Sequence, residues 1–166
     1  MSTSIQKPID SFLLRVEADR SFWQYFNLSE SEAMGLARQR ARNYLQEAIA
    51  LLILNCSPEP GLFEMDAELG VFVNDLTDVE VYILGSLMFE AYLTRDIAKL
   101  KTMNVNFTAT DLRVFDPSNA RSTFMDMYRA VQAENRLLLD SYRNTDRLTG
   151  SFKSIDYASY DDGGEA

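Results

Sequence analysis

Apolar and polar residues follow the period of an α-helix along most of this chain. Residues 10–17 place Phe12, Leu13 and Val16 on one face, which is the spacing of a short amphipathic helix. The aromatic stretch SFWQYF at 21–26 then continues or kinks that helix. The pattern therefore predicts one short helix near the N-terminus, followed by an aromatic segment.

Two capping boxes predict where the next helices begin. Ser29 is followed three positions later by Glu32, and Thr77 by Glu80. In such a box the hydroxyl accepts a first-turn amide while the carboxylate accepts the amide of the capping residue. The second helix runs through position 54 and the third through 101. Both contain stretches that are apolar all round and must be surrounded, and the third is our candidate for the central core helix.

The segment between these helices has the composition of a turn-rich insertion. Pro58, Pro60 and Gly61 cannot continue a helical amide ladder. Residues 62–75 alternate loosely between apolar and acidic positions, which predicts a strand or a small hairpin.

A fourth helix is predicted after an interruption at 104–115, which breaks the helical period and indicates a structured loop or a short strand. The helix begins at Asp116 with Pro117, or at Ser118. Its apolar stripe recurs at steps of three and four residues and consists of Phe124, Tyr128, Val131, Leu138 and Tyr142. The expected fold is mainly α: a bundle of about four helices with a small acidic hairpin or loop insertion and an extended C-terminal arm. We place the helical domain at 1–144 and the arm at 145–166.

Composition removes most enzyme classes. The 166 residues contain no histidine and a single cysteine, so Ser-His or Cys-His nucleophiles, imidazole metal ligands and an internal disulfide are all absent. The glycine motifs of phosphate loops, dinucleotide sites and nucleophile elbows are also missing. We predict that the chain is not an enzyme and needs no cofactor; an enzyme that uses a pair of carboxylates ranks third among our hypotheses.

No stretch indicates export or membrane insertion. Residues 1–10 lack the apolar core of a signal peptide. No charge-free run approaches the roughly 20 residues that span a bilayer. We expect a soluble protein without a membrane partner.

Negative charge is concentrated in one block. The net charge is −9, and positions 43–94 hold nine acids and no lysine or arginine. Such a block can simply maintain solubility, or it can form an acidic patch that meets another molecule. A calcium loop starting at Glu64 does not fit, because Gly70 falls one place late, so a solvated acidic hairpin is the better interpretation. The acids that we single out for a patch are Glu59, Glu64, Asp66, Glu68 and Asp75.

Arginines form a line on the fourth helix. Arg129, Arg136 and Arg143 recur every seven residues and drift only about 20° per heptad, so they follow one flank. That flank is either solvated, with the arginine stems covering apolar neighbours, or an ordered contact with an acidic surface of another chain. Arg38 and Arg42, one turn apart on the second helix, are surface or subunit-contact residues. A pI near 4.5 argues against specific DNA binding.

The C-terminal segment has isolated apolar side chains in a polar sequence. A frayed end is the ordinary expectation for such a terminus. We favour a docking arm, because each large ring supplies substantial contact area. The candidate anchors are Phe152, Ile155, Tyr157 and Tyr160.

Four segments in order carry a likeness to a known family. They are IDSFLLRVEADRSFWQYF, ARQRARNYLQEAIALLIL, VNDLTDVEVYILGSLMFEAYLTRDIAKLK and VNFTATDLRVFDPSNARSTFMDMY. Over residues 9–150 the chain resembles the head-tail connector, or adaptor, proteins of tailed bacteriophages, and the closing DRLTGSFKSIDYASY is similar to the tail of such proteins.

This resemblance implies a structural virion protein of the neck, made in the host cytoplasm. It implies a homo-oligomeric ring, a dodecamer, that lies beneath the portal protein and extends the DNA channel without reading the DNA sequence. In such proteins the C-terminal arm reaches onto the portal, and the opposite face receives the tail or a stopper or terminator protein. The family carries no catalytic residues over to this chain.

Two uses of the acids then compete. They can meet the arginines of a neighbouring subunit, as a head-to-tail ring requires, or they can approach the channel and keep DNA phosphates from adhering. The alternative of another class is a small acidic inhibitor that imitates nucleic acid and occupies a DNA-binding enzyme. That inhibitor would be a monomer or dimer.

Overall fold

The computed structural model describes residues 2–17, 20–23, 28–106 and 117–153. It confirms a mainly helical bundle with a small hairpin insertion. The elements in chain order are α1 (Gln6–Arg15), α2 (Arg20–Trp23), α3 (Glu30–Cys56), β1 (Met65–Asp66), β2 (Val71–Phe72), α4 (Asp78–Asn106) and α5 (Pro117–Asn144).

Both capping boxes form as predicted. Ser29 Oγ accepts the Glu32 amide at 3.4 Å, and Glu32 Oε2 accepts the Ser29 amide at 2.9 Å. At the start of α4, Thr77 Oγ1 accepts the Glu80 amide at 3.3 Å, and Glu80 Oε2 accepts the Thr77 amide at 2.7 Å. Helix α3 ends at Cys56, beyond the predicted position 54, and its C-cap Ser57 adopts a left-handed conformation with φ of 46° directly before Pro58.

Helix α4 is the central core helix, as predicted, and it packs against α1, α3 and α5. Among the side chains of α4 whose burial the structure describes, at 78–95, the buried apolar ones are Ile83, Leu84, Leu87, Met88, Ala91, Tyr92 and Leu93. The predicted break at 104–115 begins too early, because residues 104–106 still belong to α4; residues 107–115 lie outside the described chain. No helix in the part that the structure describes is long and apolar enough to cross a membrane.

A cluster of four aromatic rings joins the first four helices. Tyr92 of α4 meets Phe12 of α1, Phe22 of α2 and Tyr44 of α3 with centroid distances of 6.2, 5.6 and 5.9 Å, all edge to face. Such pairs contribute roughly 0.5–1.5 kcal/mol each beyond their area burial. The four-residue α2 is thereby fixed to the core through Phe22, although a helix of that length has little stability of its own.

The apolar stripe predicted on α5 is confirmed. All five of its members, together with Leu139, pack against the core. A polar contact crosses the same α4–α5 interface: Ser86 Oγ and Asn135 Oδ1 are 2.6 Å apart, and Asn135 Nδ2 donates to Glu90 Oε2 at 2.7 Å. These buried polar groups satisfy one another, which keeps the helices in one register.

The insertion is a two-stranded antiparallel hairpin with Met65 opposite Phe72. The N-terminus adds to it, because Phe72 N donates to the Thr3 carbonyl at 2.8 Å and Ile5 N donates to the Gly70 carbonyl at 3.1 Å. Helix α1 therefore starts at Gln6, directly after this pairing, and not at position 10 as the periodicity predicts.

Gly85 is the residue that lets α1 and α4 approach closely. A Cβ at this position would lie 2.5 Å from Ser11 Oγ and 2.9 Å from Ser11 Cβ. We expect Gly85→Ala to lower the free energy of unfolding by about 1–3 kcal/mol through overpacking, although alanine favours the helix by itself. Urea denaturation measures this change.

Gly35→Ala is the matched control, because Gly35 also lies inside a helix but nothing stands within 4 Å of its added Cβ. It should raise the stability by up to about 1 kcal/mol. A Gly85→Ala protein as stable as Gly35→Ala would show that the α1–α4 contact is looser than described.

Candidate interaction surface

The predicted arginine line lies exposed along α5. Arg129, Arg136 and Arg143 are all solvent-accessible. Arg129 reaches Asp126 at 3.4 Å, with about two thirds of both side chains in solvent (70% and 67% exposed), so this pair is weak. Within the described chain, Arg136 and Arg143 form no ion pair. Two of the three guanidinium groups are therefore free to meet another molecule.

Two arginines of α3, Arg38 and Arg42, are also on the surface. Arg38 lies 4.0 Å from Asp10 of α1, the outer limit of an ion pair. Arg42 is exposed. Both side chains therefore lie outside the core. This position is the one expected of a residue in solvent and also of a residue that contacts another subunit.

The five acids singled out from the sequence divide into two groups. Asp66 Oδ1 accepts the amides of Glu68 and Leu69 at 2.9 and 3.0 Å and so caps the hairpin turn. Asp75 Oδ1 accepts the Thr3 hydroxyl at 2.7 Å. These two carboxylates support the fold, although Asp75 itself remains exposed. Glu59, Glu64 and Glu68 are exposed as well.

The acids at 64, 66 and 68 do not share one strand face. Strand β1 ends at Asp66 and the chain turns immediately afterwards. Among the residues that the structure describes, no three acidic or cysteine side chains come together as a metal site would require. Within the described residues, Glu59, Glu64 and Glu68 are exposed in the loop after α3 and in the hairpin segment, and they form no coordination site.

The chain turns back directly after α5. Asp146 N donates to the Ser151 carbonyl at 2.7 Å and Lys153 N donates to the Asn144 carbonyl at 2.8 Å, so residues 145–153 form a compact turn where the sequence predicted the start of an extended arm. Phe152 is 82% exposed, as a docking residue would be. The other predicted anchors, Ile155, Tyr157 and Tyr160, lie outside the described residues.

A buried ionic cluster fastens this turn to the helices. Glu80 is fully buried. Arg147 clamps its carboxylate with two bonds, Nε to Oε1 at 2.9 Å and Nη2 to Oε2 at 3.0 Å. Tyr142 Oη donates to Oε1 at 2.7 Å. Arg147 Nη2 also donates to the Asp75 carbonyl at 2.9 Å. The sequence identified Glu80 only as a helix cap, and no local pattern points to its partners.

The contacts in the cluster determine the protonation states of Glu80 and Tyr142. Burial raises the pKa of Glu80, but the hydrogen bonds from Arg147, Tyr142 and the Thr77 amide outweigh it and leave the pKa below its ordinary value. Burial and the bond to Glu80 raise the pKa of Tyr142. Glu80 therefore stays ionised and Tyr142 neutral, which suits a structural anchor.

Comparison with known proteins adds no assignment. No protein-family model, no curated protein and no solved structure matches this chain.

We expect Arg147→Gln to lower the free energy of unfolding by about 3 kcal/mol, because it leaves a buried carboxylate without its counter-ion. Arg136→Gln is the control: it removes an exposed arginine without an ion pair and should change stability by less than about 0.5 kcal/mol. Urea denaturation at neutral pH compares them. Equal effects of the two substitutions would mean that the Glu80 cluster does not hold the turn.

The same cluster predicts a loss of stability in acid. Because the pKa of Glu80 is lower in the folded chain than in the unfolded one, its contribution is complete above the ordinary value of 4.5 and disappears as the pH falls through the folded-state pKa. Unfolding free energies of the wild type and Glu80→Gln should therefore converge as the pH decreases below that value. A difference that stays constant across this range would contradict the prediction.

Proposed function

We propose that this chain is a structural subunit of the head-tail connector ring of a tailed bacteriophage. In this role it joins the capsid portal to the tail or to a stopper or terminator protein in the neck of the virion, and it extends the DNA channel. The proposal starts from the resemblance over residues 9–150. The observation that carries it further is the exposed line of Arg129, Arg136 and Arg143 in an otherwise acidic protein.

Charge constrains how such subunits could associate. Copies that each carry a net charge of −9 repel one another unless opposite patches meet. A head-to-tail ring contact uses two different surfaces of each subunit. The arginine line is one suitable surface, and the exposed acids Glu59, Glu64 and Glu68 supply the other.

The arginines select and orient the contact rather than provide all of its affinity. An exposed charge pair contributes only about 0.2–1 kcal/mol, while complementary charge mainly speeds and directs encounter. The same helix also exposes apolar surface that a contact can bury: Leu137 is 72% exposed. We therefore expect an assembly that weakens with salt but is not abolished by it.

Acids that do not pair with the arginines of a neighbouring subunit can instead line the DNA channel. A negative lining repels DNA phosphates and lets DNA pass without adhering. The C-terminal arm provides the contact with the portal. The proposal assigns no catalytic activity and no cofactor to the chain.

We expect the triple variant R129Q/R136Q/R143Q to form rings less readily than the wild type on its portal, and to lose the salt dependence of assembly. Sedimentation of the chain mixed with portal, at low and high ionic strength, measures both effects. Q39E/N43E/Q46E is the charge-matched control, because it changes the net charge by the same amount on exposed positions of α3.

Assembly of the triple variant that equals the wild type at every salt concentration would refute the role of the arginine line. A wild-type chain that remains a monomer or dimer with portal present would refute the connector proposal and favour the acidic inhibitor.

A further inference from the structure

The outer side of α5 is a helix face without a partner in the described chain. The side that carries Phe124, Val131 and Leu138 packs against the core. On the opposite side the exposed positions include 126, 129, 133, 136, 140 and 143. They follow one another at alternating steps of three and four residues, which is the spacing at which one helix packs along another. We call these positions the outer seam of α5.

Charges are ordered along the outer seam. The arginine line takes up one set of alternate positions, and Asp126, Ala133 and Asp140 take up the other. Within the described chain, Asp126 and Arg129 form the one ion pair of the seam, and Asp140 forms none. Residues 124–144 hold three acids and three arginines. Two copies that meet along this neutral stretch bring no excess of negative charge together.

The two sets of charges match when two α5 helices run in opposite directions. Residue numbers then increase along one helix and decrease along the other. If Asp126 of one copy lies opposite Arg143 of a second copy, Arg129 therefore lies opposite Asp140. A two-fold axis repeats each contact with the copies exchanged. The contact thus contains each of these two pairs of opposite charge twice.

Other arrangements of the same helices lose this match. In a parallel two-fold pair each seam position meets itself, so Asp126 meets Asp126 and Arg129 meets Arg129. An antiparallel alignment shifted by one heptad keeps only one of the two kinds of pair. In one such shift Arg136 replaces Arg143 opposite Asp126, and Arg129 meets the uncharged Ala133. The charges therefore favour one direction and one register.

We propose that a second copy of this chain binds along the outer seam of α5, antiparallel and in this register. Ala133 then lies opposite Arg136 of the second copy, next to the two-fold axis, and its small side chain leaves room for the arginine stem. Leu137 is 72% exposed. It lies four residues after Ala133 and three before Asp140, so it neighbours both on the helix surface. The contact thereby also removes apolar surface from water.

This contact goes beyond the connector proposal and does not depend on it, because it concerns the chain alone. Its two-fold symmetry closes the pair, so no further copy can add at this surface. It also covers the arginine line, which the connector proposal assigns to a contact with a neighbouring subunit. The free chain is therefore held as a dimer, and a ring can form only from the fraction of chains whose arginine line is uncovered.

Two variants of identical composition test the proposal. D126R/R143D exchanges the charges of two facing positions, so every pair across the contact still joins opposite charges. D126R/R129D exchanges the charges of two neighbours on one helix, so every pair then joins like charges. Both variants keep the net charge of −9 and change only exposed positions. Each is therefore the matched control of the other.

Sedimentation equilibrium of the isolated full-length chain, over a range of concentrations and at low and high ionic strength, measures the association. We expect the wild type and D126R/R143D to form dimers with similar dissociation constants, which rise with salt because the pairs are exposed. The dissociation constant of D126R/R129D should be at least about tenfold higher, because like charges face each other. Far-UV circular dichroism checks that both variants are folded.

The proposal is wrong if the wild type stays monomeric up to about 1 mM, or if the two variants have the same dissociation constant. Species larger than a dimer in the absence of portal would also overturn it, by showing that the chain associates head to tail. An intact dimer whose chains never assemble on the portal would support this contact and refute the connector proposal alone.

Discussion

The buried carboxylate of Glu80 is the group on which one whole end of this bundle depends. It caps α4 and at the same time receives Arg147 and Tyr142 from the far end of the chain. A carboxylate taken out of water is costly unless it is paired and hydrogen-bonded, so the start of α4, the end of α5 and the turn after it must remain together. This cluster thereby holds the turn at 145–153 against the helices.

Local signals in the sequence identify most of the helical framework. A capping box needs residues only three positions apart, and both boxes form as predicted. The stripe on α5 depends on the helical period alone, and all of its members contact the core. The start of α1 is different, because it is set by pairing of the N-terminus with the hairpin, a contact that periodicity does not contain.

Long-range polar contacts explain why the candidate site was only partly predictable. Arg147 binds Glu80 across 67 residues, and Thr3 binds Asp75 across 72. Without them, Asp75 resembles any other acid of the negative block. The sequence likewise groups Asp66 with the surface acids, although its carboxylate caps a turn. By contrast, exposed charges need no partner within the chain, which is why the arginine line could be placed from spacing alone.

In the connector proposal, the acidic surface of one subunit meets the arginine line of the next, and this charge complementarity sets the orientation in which copies associate. Electron microscopy of the wild-type chain incubated with its portal tests that claim most directly. The account predicts a closed ring of many copies seated on the portal around a continuous channel. Bare portals surrounded by single, unattached chains would contradict it.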